Sequence, residues 1–181
     1  GRMAQLDMRH RARLSVDVDA HLPLAAGEET RATQVMLNLL ANAAHAIPAG
    51  RYDENLVRVE ARLDGAYIVV SVQDTGEGMS EAALSSAFDP FYTTKDVGEG
   101  TGLGLSSAHH IVRRMGGDLR LQSVLGGGTT ATLRFRVASG AAAERAASVP
   151  AASQRAGRLS VLVVDDEPGV RRTLRYALRQ H

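Results

Sequence analysis

The sequence lacks cysteine and tryptophan, and aromatic residues make up only 4% of its 181 residues. Without cysteine the chain can form neither a disulfide bond nor a cysteine metal site, and this composition is compatible with a reducing, cytoplasmic compartment. The formal net charge at pH 7 is +1, so no strong electrostatic field points to nucleic acid or to an anionic membrane. The proportions of hydrophobic residues (44%) and charged residues (23%) are those of an ordinary globular protein.

A long purely apolar run is also lacking. Residues 32–50 carry no charged side chain, but several polar residues and Pro48 interrupt them, and a bilayer would penalise that composition. We therefore predict no membrane span and no direct membrane contact. The opening GRMAQLDMRH has neither a leading methionine nor a signal-peptide apolar region, so we expect the chain to begin inside a longer protein.

Alternation of apolar and polar residues predicts several strands. Residues 57–63 alternate as in a strand with one wet face, and Asp64-Gly65 predicts a tight turn after it. In the next strand Asp74 ends a row of apolar residues on one face. A last strand, TTATLRFRV, places Thr129 at the start of an inward-facing row.

Apolar spacing predicts two long helices. The first covers Arg31 to Ile47, with an apolar stripe of Met36, Leu40, Ala43 and Ile47 and a separate polar stripe of Arg31, Gln34, Asn38, Asn42 and His45. The second is marked by Leu105, Ala108, Val112 and Met115 and ends at Gly116-Gly117. Glu28 precedes the first helix and is a weaker N-cap than aspartate.

The C-terminal quarter differs in composition. Residues 139–157 are rich in alanine and serine and predict a flexible or partly helical linker. The remaining LSVLVVDDEPGVRRTLRYALRQH predicts a buried strand, an acidic turn and an amphipathic helix. One strand and one helix cannot bury a core, so we interpret residues 158–181 as the start of a second domain.

Glycines crowd the stretch FDPFYTTKDVGEGTGLGLSSA, at Gly98, Gly100, Gly102 and Gly104, immediately before the second helix. Free backbone N–H groups and the positive end of the helix dipole meet there, which suits phosphate. The alternative is a plain flexible loop. The spacing matches neither a P-loop nor a dinucleotide-binding glycine motif, and protein kinase signatures are lacking.

Asn38 and Asn42 lie one turn apart on a helix face. A carboxamide oxygen is a neutral ligand for Mg²⁺, which fills the rest of its shell with water and phosphate oxygens. The alternative is that both are solvated surface asparagines.

The segment QDTGEGM places Asp74 among core residues, where a buried carboxylate requires a hydrogen-bond donor. The exocyclic amine of adenine is one candidate donor, and Thr129 could share in that contact. The alternative is that Asp74 caps the turn at Thr75-Gly76.

Four segments of the chain closely resemble the N, G1, F and G2 boxes of sensor histidine kinases. In that order, they are NLLANAAHAI, DTGEGM, FDPFYTTK and GEGTGLGLS. GGGTTATLRF resembles their closing glycine–threonine element, and PFYTTK is particular to histidine kinases among relatives that include Hsp90, DNA gyrase B and MutL. The resemblance covers about residues 13–137. It implies an α/β Bergerat fold, a two-layer sandwich in which helices cover one face of a mixed, mostly antiparallel sheet.

The resemblance also implies roles for individual residues. Asn42 would coordinate Mg²⁺, supported by Asn38, and His45 would approach the phosphates. Asp74 would accept from the adenine amine, Gly76 and Gly78 would let the base pack closely, and Thr129 would join Asp74 through a bridging water. Lys95 and the glycines from Gly98 to Gly104 would form a mobile lid over the triphosphate. The residues expected to contact nucleotide further include Met79, Phe91, Thr94, Gly100, Thr101, Gly102, Leu103, Gly104 and Leu105.

VLVVDDEPGVRRTLRYAL resembles the first strand and helix of a response-regulator receiver domain, with Asp165 and Asp166 matching its Mg²⁺-binding acidic pair. The alternative is an exposed acidic turn. His10 lacks the acidic neighbour of a phosphoacceptor histidine, and we interpret it as a surface residue.

The predicted organisation is an upstream segment (residues 1–12), an ATP-binding catalytic domain (13–138), a linker (139–157) and a truncated receiver domain (158–181). This catalytic domain would supply Mg-ATP for phosphoryl transfer to a histidine on a missing dimerisation domain, and then to a receiver aspartate. ATP or ADP and those two domains are the expected partners. Two alternatives stay open: an ATP-binding module without phosphotransfer of its own, and an ATP-driven clamp like gyrase or Hsp90.

Overall fold

The structure is a computed structural model that describes residues 11–95 and 101–138. In chain order its elements are β1 (Arg13–Val18), α1 (Glu29–Ala46), β2 (Leu56–Asp64), β3 (Tyr67–Asp74), α2 (Glu81–Ser85), α3 (Gly104–Arg114), β4 (Asp118–Ser123) and β5 (Thr129–Arg136). The predictions for residues 1–10, 96–100 and 139–181, including those for His10, Gly98, Gly100, Asp165 and Asp166, lie outside the described residues.

The strands form one sheet in the order β1-β2-β3-β5-β4. β1 pairs with β2 in parallel, and the other three pairings are antiparallel. This confirms the predicted mixed, mostly antiparallel sheet. The register sets Asp74 opposite Val57 on one side and opposite Thr129 on the other, so the carboxylate lies at the end of the sheet's middle strand.

Helices α1 and α3 pack on one face of this sheet, as the α/β two-layer prediction requires. The largest fully buried side chains come from both layers: Val35 and Ile47 at α1, Val112 in α3, Val57 in β2 and Leu133 in β5. The opposite face carries alternating polar residues, among them Arg58 and Glu60, whose side chains are 3.7 Å apart. Strand alternation therefore decides which side chains can reach the space between the layers.

The predicted apolar stripe of α1 is confirmed at Ala43 and Ile47, which are buried, whereas Met36 and Leu40 are partly buried against the core. The structure also buries Val35, Leu39 and Ala44, which the prediction did not include. The covered stripe is wider than predicted because α1 contacts α3 as well as the sheet. Asn42 follows Val35 by about two helical turns and therefore faces the interior, not solvent.

The N-terminus of α1 confirms the expected weak cap. Glu28 occupies the N-cap position in extended conformation, and its side chain makes no capping hydrogen bond. Its carboxylate instead accepts a hydrogen bond of 2.6 Å from Nε of Arg31. The helix is held mainly by its buried face, as is usual in globular proteins.

Candidate active site

A cavity of about 50 Å³ lies between α1, the sheet and the first turn of α3. Most of its lining is apolar, with three polar side chains: Asn42, Asp74 and Thr129. This volume holds roughly three to five water molecules, which is less than a purine ring needs. A nucleotide base therefore either extends beyond the enclosed space, toward the open side of the cavity, or requires the lining to move apart. The remaining lining residues are Leu39, Ala43, Ala46, Val72, Met79, Leu105, Leu121 and Ala131.

Asp74 is the buried acidic group of this cavity, with 5% of its surface exposed. Its Oδ1 accepts hydrogen bonds from the backbone N–H groups of Gly76, at 2.8 Å, and Thr129, at 3.2 Å. Within the described residues Oδ2 accepts no hydrogen bond. Asp74 therefore caps its turn with one oxygen and leaves the other without a partner among the described residues, so both interpretations offered by the sequence are compatible with its geometry.

The pKa of Asp74 is raised above its ordinary value of 3.8 by burial, which disfavours the charged form. The backbone hydrogen bonds from Gly76 and Thr129 lower the same pKa and offset part of that effect. A ligand group that donates a hydrogen bond to Oδ2 would stabilise the ionised carboxylate further. The electrostatics thus favour a donor, such as an amine, at this end of the cavity.

The glycines after Asp74 are required by neighbouring protein backbone. A Cβ at Gly76 would overlap the backbone of Ala46, whose carbonyl accepts from N–H of Glu77 at 2.9 Å. Gly78 has φ +66°, and a Cβ there would overlap the carbonyl of Val124. Close packing of a base remains a prediction for these two glycines, since contacts within the protein already account for both.

Thr129 takes part in a hydroxyl cluster that sequence reasoning missed. Its Oγ1 lies 2.8 Å from Oγ of Ser123, which also accepts from the backbone N–H of Met79 at 2.8 Å. The hydroxyl of Ser123 lies 2.9 Å from the carbonyl of Gly128, to which it can donate. The signal was present in DLRLQS, where alternation puts Leu119, Leu121 and Ser123 on the core side of β4.

Asn42 and Asn38 differ in their surroundings. Nδ2 of Asn42 is buried and has no hydrogen-bond partner among the described residues. Nδ2 of Asn38 donates to the carbonyl of Gly104 at 3.3 Å and so connects α1 to the start of α3. Asn42 has unused bonding capacity at the cavity, whereas Asn38 holds the neighbouring helix end in position.

The remaining predicted residues surround the glycine-rich stretch. Phe91 is 74% exposed, and its backbone adopts the left-handed conformation, with φ +67°. Its N–H donates to the carbonyl of Gly102 at 3.0 Å. Gly102 also has positive φ, and a Cβ there would overlap the backbone of Phe91. This contact, which we call the Phe91–Gly102 clasp, joins the two ends of the segment that contains residues 96–100.

Other predicted side chains are not among the residues that line the cavity. His45 and Thr94 are exposed, and Lys95 is half-buried. Oγ1 of Thr101 accepts from the backbone N–H of Leu103 at 3.4 Å, and the side chain of Leu103 is 41% exposed. The structure thus brings Asn42, Asp74, Met79, Leu105 and Thr129 together at one cavity, and the predicted phosphate-contacting residues lie outside its lining or outside the described residues.

No helix of the described residues is long and apolar enough to cross a membrane. Within the same ranges no group of three or more histidine, aspartate or glutamate side chains is arranged to hold a metal.

A mostly apolar cavity with a few polar groups is typical of a small-molecule or cofactor site, and the glycine-rich helix start beside it suits a phosphate group. The family described as "Histidine kinase-, DNA gyrase B-, and HSP90-like ATPase" matches residues 27–139, more than half of the chain. The chain belongs to this family, and its described domain is an ATP-binding domain.

Similar curated proteins are sensor kinases. The chain is 35% identical to sensor kinase CckA of Brucella abortus over a match that covers 76% of the chain and 16% of that protein. It is 42% identical to sensor histidine kinase ZraS of Escherichia coli K12, covering 62% of the chain and 23% of that protein. The chain thus spans less than a quarter of the length of either relative.

Solved structures agree on the fold. The mycobacterial sensor histidine kinase MprB superposes with a TM-score of 0.61 at 23% identity, covering 74% of this chain and 88% of that one. A structure described as full-length ShkA in complex with AMPPNP superposes with a TM-score of 0.61 at 27% identity, covering 77% of this chain and 30% of that one. The α/β two-layer architecture is therefore that of histidine kinase catalytic domains.

Proposed function

We propose that this chain carries the catalytic domain of a sensor histidine kinase, which binds Mg-ATP and presents the γ-phosphoryl group to a histidine on a separate dimerisation domain. The observation that carries the proposal is the cavity in which Asp74 keeps one unbonded oxygen beside Thr129 and Asn42. The relatives named above are sensor kinases, and the sequence order of the four boxes favours a kinase over a gyrase-like or Hsp90-like clamp.

Adenine recognition rests on Asp74. The exocyclic amine donates to Oδ2, while Oδ1 stays bonded to the backbone of Gly76 and Thr129. The apolar side chains of Met79, Leu105 and other lining residues contact the faces of the base once the cavity has widened. A buried acceptor of this kind discriminates strongly, because a ligand without the matching donor leaves it unpaired.

The proposed Mg²⁺ ligand in this chain is Asn42. Its carboxamide reaches the cavity and has an unpartnered polar atom, so it can offer its oxygen to a hard cation after a rotation of the amide. When bound, Mg²⁺ supplies positive charge against the phosphate oxygens. Asn38 positions the start of α3 through Gly104, and free N–H groups of that helix start can contact the same phosphates.

The proposed lid consists of Thr94, Lys95, Thr101 and the glycines up to Gly104. His45, on α1, approaches the phosphates in the same proposal. The Phe91–Gly102 clasp supports this proposal because it sets the two ends of the lid at a fixed separation beside the cavity. Exclusion of water by a closed lid strengthens electrostatic contacts to the γ-phosphoryl group.

In the proposed reaction, an imidazole nitrogen of the dimerisation domain forms a bond to the γ-phosphorus as the bond to the β,γ-bridging oxygen breaks. ADP leaves with that electron pair, so the chain described here acts by positioning and by charge stabilisation, without a nucleophile of its own. The same proposal includes three further parts. The phosphoryl group is subsequently transferred to a receiver aspartate, residues 158–181 are the start of a receiver domain, and the protein domain lies in the cytoplasm.

Calorimetric titration of a non-hydrolysable ATP analogue into wild type and Asn42→Ala, with and without Mg²⁺, tests the binding part. We expect Mg²⁺-dependent affinity in wild type and its loss in Asn42→Ala, with the metal-free affinity little changed. Absence of binding to folded wild type would contradict the proposal.

Incubation with radiolabelled ATP and a separately produced histidine-bearing hairpin tests the transfer: label on the hairpin supports a kinase, and binding without label supports a binding module.

A further inference from the structure

The end of β4 carries a hydroxyl, that of Ser123, whose polar neighbours leave it a single arrangement of hydrogen bonds. The backbone N–H of Met79 donates to its Oγ at 2.8 Å, and the carbonyl of Gly128 lies 2.9 Å away. The third neighbour is Oγ1 of Thr129 at 2.8 Å, a contact in which either hydroxyl can donate.

The number of available protons determines which hydroxyl donates in the contact between Ser123 and Thr129. A serine hydroxyl has one proton, and a carbonyl oxygen can only accept. If Ser123 donated to Thr129, its oxygen would face the oxygen of Gly128 at 2.9 Å with no proton between them. Ser123 therefore donates to Gly128, and Thr129 donates to Ser123.

Because Thr129 donates its hydroxyl proton to Ser123, it has no proton left to donate to a ligand in the cavity. Thr129 lines the cavity and is the cross-strand partner of Asp74, so its Oγ1 offers lone pairs only beside a carboxylate that, when ionised, is also only an acceptor. Both polar groups at this end of the cavity accept hydrogen bonds, directly or through a water that donates to them. Adenine offers an amine there, whereas guanine offers a carbonyl oxygen, to which neither Asp74 nor Thr129 can donate.

We propose that Ser123 is a specificity-determining positioning residue: by fixing the hydroxyl proton of Thr129 away from the cavity, it keeps the adenine end purely accepting and excludes guanine. This inference rests on the proposed nucleotide-binding function and assigns a role to a residue that does not line the cavity. Without Ser123, the hydroxyl of Thr129 can rotate and donate to the carbonyl oxygen of guanine.

The test compares dissociation constants for non-hydrolysable analogues of ATP and GTP, measured by calorimetry on the full chain. We expect Ser123→Ala to lower the preference for ATP over GTP by about tenfold, mainly through tighter GTP binding, because one unpaired acceptor contact is relieved. Ser123→Thr keeps the hydroxyl and should retain the wild-type preference. Ser71→Ala removes a half-buried serine from the other face of the sheet and serves as the matched control.

A double substitution separates positioning from general loosening of the cavity. In Thr129→Val, which has no hydroxyl to rotate, adding Ser123→Ala should leave the ATP-to-GTP preference unchanged. An equal fall in preference in that background would overturn the inference, as would an unchanged preference in Ser123→Ala with ATP affinity retained. Ser123→Cys, a weaker hydrogen-bonding group, is expected to change the preference in the same direction, and it decides the question if Ser123→Ala does not fold.

Failure of the proposed function has a different result. Wild type that binds neither analogue would contradict nucleotide binding itself. Wild type that binds ATP with a preference insensitive to position 123 would contradict only the role assigned to Ser123.

Discussion

At the scale of single residues, the carboxylate of Asp74 has a structural role in its turn, and the proposed function adds a ligand-binding role. Oδ1 orders the turn after β3, and burial of the charged group is only partly offset by the two backbone hydrogen bonds. An asparagine at this position keeps an oxygen for the turn and removes the charge. Stability and ligand binding should therefore respond to that change in opposite directions.

We expect Asp74→Asn to be at least as stable as wild type at pH 7 and to bind the ATP analogue at least tenfold more weakly, since an amide donor replaces a charged acceptor. The folded-state pKa of Asp74 is raised, so its contribution to stability is fully present below pH 3.8 and is lost as pH rises through the raised value. The stability advantage of Asp74→Asn should thus shrink toward pH 3.8. Urea unfolding from pH 3.5 to 7 measures this, and an advantage that is constant across that range would contradict it.

Asn42→Ala should change the free energy of unfolding by no more than about 1 kcal/mol, because removal of a buried, unpartnered amide offsets the lost packing. Leu39→Ala, on the same helix and lining the same cavity, should lose about 2–5 kcal/mol. Thermal or denaturant unfolding of the two variants makes the comparison. Equal losses would show that Asn42 is a packing residue.

Sequence reasoning located Asp74, Asn42 and Thr129 because strand alternation and helical spacing specify direction along a single element. Ser123 was missed although the same alternation places it on the core face. Its role depends on a loop carbonyl and a neighbouring hydroxyl, and such contacts between segments distant in sequence follow only from the assembled sheet.

At the scale of elements, helix and strand bounds followed from the sequence more closely than their contacts did. The first helix was predicted from Arg31 and begins at Glu29. β1 was not predicted: RLSVDV is short and almost fully exposed, and its parallel pairing with β2 is non-local. Val35 and Leu39 are buried more deeply than Met36 and Leu40, and this difference likewise depends on how α1 packs between the sheet and α3.

The Phe91–Gly102 clasp gives a prediction about the lid. Gly102→Ala should lower stability and nucleotide affinity, because a Cβ at φ +65° is strained and also overlaps the backbone of Phe91. Gly126→Ala is the matched control, since its φ is +77° but no atom lies within 4 Å of the added Cβ.

Calorimetry and thermal unfolding of both glycine variants separate backbone strain from the clasp. A loss of stability in both variants that is larger in Gly102→Ala, with nucleotide affinity lost only in Gly102→Ala, is the result expected if the clasp orders the proposed lid. Identical affinities in the two variants would remove the clasp from the binding mechanism.

At the scale of the whole molecule, residues 11–95 and 101–138 include the cavity lining named above and a five-stranded sheet. A chain that ends after Ala138 should therefore keep its melting temperature within a few degrees and its affinity for the ATP analogue within about twofold. Comparison with the full chain by thermal unfolding and calorimetry provides the measurement. A large loss of affinity on truncation would show that residues 139–181 contribute to the site.

The small volume of the cavity has a thermodynamic consequence. If the empty domain favours a state too narrow for a purine, the observed affinity is the intrinsic affinity multiplied by the fraction of molecules that are open. Shortening a lining side chain such as Leu121 raises that fraction while it weakens packing in the empty domain. For this class of substitution, the least stable variants can be the tightest binders, and a melting temperature measured without ligand would rank them in the reverse order.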